Sequence, residues 1–202
     1  ANPICSSITT REAVLAASDC DVLFSCTDTR ESRCIAGMLC EAFLLPLFDV
    51  GVSIEARDSG SGPEIVEMCG RIDYVKPDGA SLQDRGVYTP ASLREEYLKQ
   101  HAPQTYADEV RAGYIKGTSD VSPAVIALNM RAAASCIQEF IARAYPYRQQ
   151  PDSSFASTRF YLTEEDVMHE SEEKLPKAPK QLLARGRKEP LLGLPVLTKR
   201  AS

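Results

Sequence analysis

The sequence predicts an α/β fold built around parallel strands, and three observations carry that prediction. Two apolar runs, Asp21 to Cys26 and Leu45 to Val52, are nearly continuous, as suits strands buried on both faces of a parallel sheet. Residues 31–43 between them have helical periodicity, with Thr29 as cap and Ile35, Leu39 and Ala42 on one face. Strand, helix and strand joined by short links make one βαβ unit. Finally, Val125, Leu128, Ala132, Cys136, Phe140 and Ala144 form one stripe of a long helix. That helix opens with Ser122 as cap and Pro123 at its first position, and Pro146 ends it.

The remaining elements follow in chain order. Residues 12–19 form a short helix. Arg57 to Pro63 (RDSGSGP) is a turn, and EIVEMCGRIDYVKP after it alternates as a strand does. DGASLQDRGVYTP is a polar loop without periodicity. PASLREEYLKQH is an amphipathic helix, with Ser92 and Glu95 as a candidate cap pair. STRFYLT is a strand candidate, and an acidic run from Glu164 to Glu173 reads as a solvated face. A Lys/Pro-rich stretch and a last apolar segment, Pro190 to Leu197, close the chain. Residues 1–148 are therefore expected to form the folded domain, and 149–202 a partly ordered tail.

At 202 residues with 44% hydrophobic content, the chain can build a real core, an aliphatic one given the absence of Trp. A net charge of −5 argues against nucleic acid and polybasic membrane contacts. No apolar run reaches the length of a membrane span. The seven cysteines include no CxxC pair and mostly sit in apolar strands or helix faces. They read as free thiols of a reducing, cytoplasmic compartment, without a cysteine zinc site.

Asp28 is the first candidate for chemistry. In open α/β sheets ligands sit outside the carboxyl ends of the strands, and Asp28 stands at such an end, just before a helix. A carboxylate there can hold Mg²⁺ against phosphate oxygens. It can equally be a turn residue completing the helix start, and spacing alone leaves both readings open.

The segment ANP…DCDVLFSCTDTRESRCIAGMLCEAFLLPLFDVGV resembles the second half of the adenylation domain of the ThiF/MoeB/HesA family, relatives of ubiquitin-activating enzymes. Asn2–Pro3, Cys26–Thr27–Asp28, Arg33 and Gly51 follow the family's pattern in order. GYIKGTSDVSPAVIALNMRAAASCIQEFI resembles its returning helix, residues 122–145, and EPLLGLPVL a closing segment. The resemblance implies a Rossmann-like ThiF-type fold, of which this chain is the C-terminal half: a mostly parallel sheet, flanking helices and a crossover loop over about 76–120. It implies ATP-dependent adenylation of the C-terminal glycine of a ubiquitin-like or sulfur-carrier protein, with ATP and Mg²⁺, in a homodimer or heterodimer. Asp28 matches the position that handles Mg²⁺ and phosphates, and Thr27 and Thr29 flank the nucleotide. Thr29 departs from the family's usual Asn.

The family's Gly-rich loop, ribose-binding acid and phosphate-neutralising Arg and Lys all precede its Asn–Pro, and no GxGxxG occurs here. The chain is thus expected to be a fragment that does not cradle ATP by itself. Where many members carry a Cys-x-x-Cys pair, this sequence has Ser81 and Asp84. The implied zinc pair is missing and a thioester step is unsupported, since neither His101 nor His169 is placed as a base and Cys69 reads as structural. Arg33 reads as a salt-bridged helix residue, His101 as a helix-end residue and His169 as exposed. Two further readings are a non-catalytic binding or partner subunit of the same fold and, more distantly, a nicotinamide-dependent oxidoreductase.

Overall fold

The computed structural model describes residues 2–58, 60, 62–115 and 125–198. Among these residues five strands form one mixed sheet in the order β1-β2-β3-β4-β5: Leu23–Ser25, Leu47–Asp58, Pro63–Val75, Ser157–Tyr161 and Asp166–Glu170. Six α-helices among the described residues accompany them: α1 Arg11–Ser18, α2 Arg30–Phe43, α3 Pro90–His101, α4 Pro103–Arg111, α5 Ile126–Ala144 and α6 Pro195–Thr198. The α/β class and the flanking helices agree with the sequence reading. Only β1 and β2 are parallel, however, joined through α2 as the βαβ pattern requires. β2–β3, β3–β4 and β4–β5 are all antiparallel, so the expectation of a mostly parallel sheet is corrected. Four residues separate β2 from β3 and four separate β4 from β5, links too short for a parallel crossover, whereas β4 returns to β3 only after α3, α4 and α5.

Alternation along the strands gives the sheet two different faces. Phe48, Ile72 and Phe160 pack against Leu128, Ala132 and Cys136 of α5. Gly70 on β3 lies under the Phe160 ring, where a Cβ would collide with it. On the opposite face Leu47 and Val75 pack with Ala36 and Cys40 of α2 and with Leu82 and Tyr88 of the following loop. That loop carries no sequence period, yet it buries Ala80, Leu82 and Tyr88. Behind α2, Val14, Ile35 and Leu39 meet Leu192 and Leu197 from the end of the described chain.

The segment after Gln149, expected as a partly ordered tail, contributes β4 and β5 to the sheet and two fully buried leucines to the α1–α2 core. Part of the acidic run is strand β5, whose residues are all exposed. Glu172 beyond it turns inward, its carboxylate accepting from the Ala80 N–H at 3.2 Å. The cap of α3 is a box of Thr89 with Ser92, one turn earlier than the Ser92–Glu95 pair. The expected Ser122 cap and Pro123 of α5 lie outside the described residues.

On α5, Glu139 takes a buried position, 4% exposed, while Ala144 of the expected stripe is exposed. Its carboxylate accepts from Arg143 Nε at 2.6 Å and from both terminal nitrogens of Arg148. Arg143 stacks on Tyr74 at 3.6 Å and donates to the Asp152 and Phe155 carbonyls. Breaking a buried charge cluster strands the partners that remain. Glu139→Ala is therefore expected to lower the unfolding free energy by about 3 kcal/mol, read by chemical denaturation.

Candidate functional site

Strand β1 stops at Ser25, and the chain passes through Cys26, Thr27 and Asp28 before α2 begins at Arg30. Thr29 is the N-cap, as its sequence position predicts: its Oγ1 accepts from the Ser32 N–H at 3.2 Å. Asp28 stands exposed immediately before that cap, and among the described residues it makes no hydrogen bond or ion pair. Ser25 Oγ and Thr27 Oγ1 beside it are buried without a hydrogen-bond partner. Buried hydroxyls are rarely left unmatched, which sets this pair at the end of β1 apart.

The N-terminus of α2 is already engaged from outside the helix. The Glu96 carboxylate of α3 accepts from the Arg30 N–H at 3.1 Å and the Glu31 N–H at 2.9 Å. A helix N-terminus favours an anion there through its free amides and its dipole. Both Glu96 oxygens are taken by those amides, which leaves the exposed Asp28 as an unengaged carboxylate at this helix start. One or two carboxylates are what Mg²⁺ usually takes from a protein, its other ligands being water and phosphate. Asp28 alone would meet that need at its lower end. Among the described residues, no three His, Cys, Asp or Glu side chains gather as a metal cluster.

A second constellation lies on the α2 face of the sheet. Asp49 and Asp73 are register partners on β2 and β3, and both are fully buried. Arg71 Nη2 meets Asp49 Oδ2 at 2.7 Å, and its Nη1 pairs with Asp73. Arg33 of α2 reaches Asp49 at 3.4 Å and donates to the Val50 carbonyl, as a salt-bridged helix residue. Arg85 meets Asp73 at 3.2 Å and Glu172 at 3.5 Å, and donates to three backbone carbonyls. Gly51 is register partner of Arg71, and a Cβ there would lie 2.9 Å from Arg71 Nη2. The glycine leaves room for the guanidinium.

Ser81 and Asp84 hold the connecting loop together. The Asp84 carboxylate accepts from the Ser81 N–H and Oγ–H, both at 2.8 Å, and from Lys180 Nζ at 3.1 Å. Burial pushes this carboxyl up, but those hydrogen bonds and the lysine charge outweigh it and hold it below its ordinary range. Lys180 also reaches Glu41 of α2 at 3.2 Å, so loop, helix and C-terminal segment share one cation.

All seven cysteines are free. Burial raises the thiols of Cys26, Cys34 and Cys69, and it pushes Cys40 and Cys136 up to about 12. Cys69 stands half-buried on the polar face rather than in an apolar cluster. His101 stacks on Tyr97, and His169 shares a 3.0 Å hydrogen bond with Thr158. Neither contact involves a cysteine.

The chain matches no protein-family model and no curated protein. No helix among the described residues is long and apolar enough to cross a membrane. The sequence reading placed Asp28, Thr27 and Thr29 together at the strand end, but it missed Ser25, Glu96 and the charge cluster of Asp49, Asp73, Arg71 and Arg85. A signal for the cluster existed: Asp49 and Asp73 interrupt apolar strand runs, and a carboxylate in such a run needs a cation.

Two measurements check this description. A thiol reagent at neutral pH is expected to label exposed Cys5 and Cys20 in the native protein, and Cys40 and Cys136 only after denaturation, read by peptide mass spectrometry. Asp84, with its lowered folded-state value, contributes stability above its unfolded value and loses it as pH falls through the folded one. The stability gap between the parent and Asp84→Asn is therefore expected to be full at neutral pH and to shrink below about pH 4. Denaturation at several pH values reads that gap.

Proposed function

We propose that this chain is the C-terminal part of a ThiF-type adenylation fold, serving ATP-dependent activation of the C-terminal glycine of a ubiquitin-like or sulfur-carrier protein. One observation carries the reading: an exposed carboxylate, Asp28, at the carboxyl end of a parallel strand, flanked by the unpartnered hydroxyls of Ser25 and Thr27. Ligands of open α/β sheets collect at such ends. The order of Asn2–Pro3, Cys26–Thr27–Asp28, Arg33 and Gly51 adds the family likeness.

In this reaction an oxygen of the glycine carboxylate attacks the α-phosphorus. The new C(O)O–P bond forms as the bond to the β-phosphate oxygen breaks, and pyrophosphate leaves. Bound Mg²⁺ would neutralise charge building on the departing pyrophosphate. Asp28 would hold that ion at the strand end, and the Thr27 hydroxyl would donate to a phosphate oxygen. Thr29 fixes the turn by capping α2, keeping Asp28 in place. The partner would be a homodimer mate or a sister subunit.

A second reading is a non-catalytic subunit of the same fold that holds a ubiquitin-like protein. The Glu96 contact favours it, because that carboxylate occupies helix amides open to a phosphate in a nucleotide site.

ATP–pyrophosphate exchange separates the two. In the full-length protein with its modifier, Asp28→Asn is expected to fold normally and to lose about 10²- to 10³-fold in exchange rate. A turn residue would cost about 1 kcal/mol of stability and leave exchange intact. Absence of exchange in the parent would favour the non-catalytic subunit.

A further inference from the structure

Beside the charge cluster, a cleft of about 310 Å³ opens on the α2 face of the sheet, walled by Arg33, Arg71, Arg85 and Arg159. Arg33, Arg71 and Arg159 bring guanidiniums from α2, β3 and β4, while the Arg85 guanidinium is 2% exposed and committed to Asp73, Glu172 and three backbone carbonyls. Arg71 and Arg159 are direct register partners on β3 and β4, so two like charges stand side by side on one face. Such pairs destabilise a sheet unless something neutralises them. Asp49, Asp73 and Glu172 engage Arg33, Arg71 and Arg85. Arg159 is exposed and forms no ion pair among the described residues. Burial lowers the Arg71 guanidinium from its ordinary value, and the charges of Arg33 and Arg159 lower it further. Over Gly51 the Nη2 atoms of Arg71 and Arg33 come within 2.9 and 3.5 Å of one point. Glu67 is the acidic side chain on the cleft wall.

We propose that this cleft binds the phosphate group of a small phosphate monoester. Arginine forks match phosphate oxygens, and guanidiniums from three separate elements suit three terminal oxygens better than a carboxylate's two. The volume lies at the small end for organic ligands, too small for a nucleoside triphosphate. Val87 and Tyr161 offer an apolar wall for the organic part. Asp49 and Asp73 act behind the site, aiming Arg33 and Arg71 without reaching the ligand. This site is independent of the adenylation reading and needs neither Mg²⁺ nor Asp28.

The test is titration of the protein, without Mg²⁺, with inorganic phosphate, glycerol phosphate and acetate at constant ionic strength, followed by calorimetry and amide NMR. Both phosphates are expected to bind saturably at one site, with shifts centred on Gly51, Ser53, Cys69 and Gly86, and acetate to bind more weakly. Arg159→Ala, at an exposed position, is expected to fold and to weaken phosphate binding about tenfold or more. Glu67→Gln is expected to tighten it by removing the opposing charge. The proposal is overturned by non-saturable phosphate binding, by acetate binding as tightly, or by shifts centred on residues 29–32. It is equally overturned if Glu67→Gln leaves a folded protein's affinity unchanged.

Discussion

The sheet depends on one guanidinium. Asp49 and Asp73 face each other across β2 and β3 with essentially no solvent, an arrangement that two carboxylates alone would not tolerate. Arg71, one step along β3, bridges both, and Arg33 and Arg85 engage the outer sides. The bridge needs the missing side chain at Gly51, so a glycine and an arginine on neighbouring strands are one structural unit. Through Arg85 the same cluster reaches the Ala80 and Ala156 carbonyls and Glu172. An aperiodic loop and the region after α5 are thereby fastened to the sheet by charge as well as by the apolar area of Leu82, Tyr88 and Phe160.

This explains what the sequence could and could not disclose. The β1–α2–β2 unit was legible because its signals are local: apolar runs, a helical period and Thr29 as cap. The antiparallel pairing of β2 with β3 follows from the short link between Arg57 and Pro63, which was visible in the sequence and outweighs the buried character of the first two strands. The place of β4 beside β3 was not legible, because STRFY lies more than 80 residues from its partner strand and its charged face is satisfied only in three dimensions. The loop from residue 76 carries no period because its buried residues answer to α2 and to Arg85. At the candidate site, Asp28 and its neighbours were found from strand-end logic. Glu96 was hidden because it caps a helix 65 residues earlier in the chain.

The two polar regions divide the α2 face between them. At the end of β1 stand an exposed carboxylate and two unmatched hydroxyls, while the arginine wall lies further along β2 and β3. Arg33 links them, since it belongs to the first turn of α2 and yet lines the arginine cleft. A ligand in one region would therefore act on the helix that shapes the other.

The core behind α2 has its own consequence for the order of events during synthesis. Val14 from the first helix is sealed by Leu192 and Leu197, and Lys180 ties the same layer to Glu41 and Asp84. Contacts this distant along the chain close late, after the entropy of a long loop has been overcome. At translation rates of about 5–20 residues per second, Val14 would wait roughly 10–40 s for Leu197 to appear. During that interval the apolar side of α2 lacks its cover, so the nascent chain is exposed to chaperones and to aggregation in a way the finished protein is not.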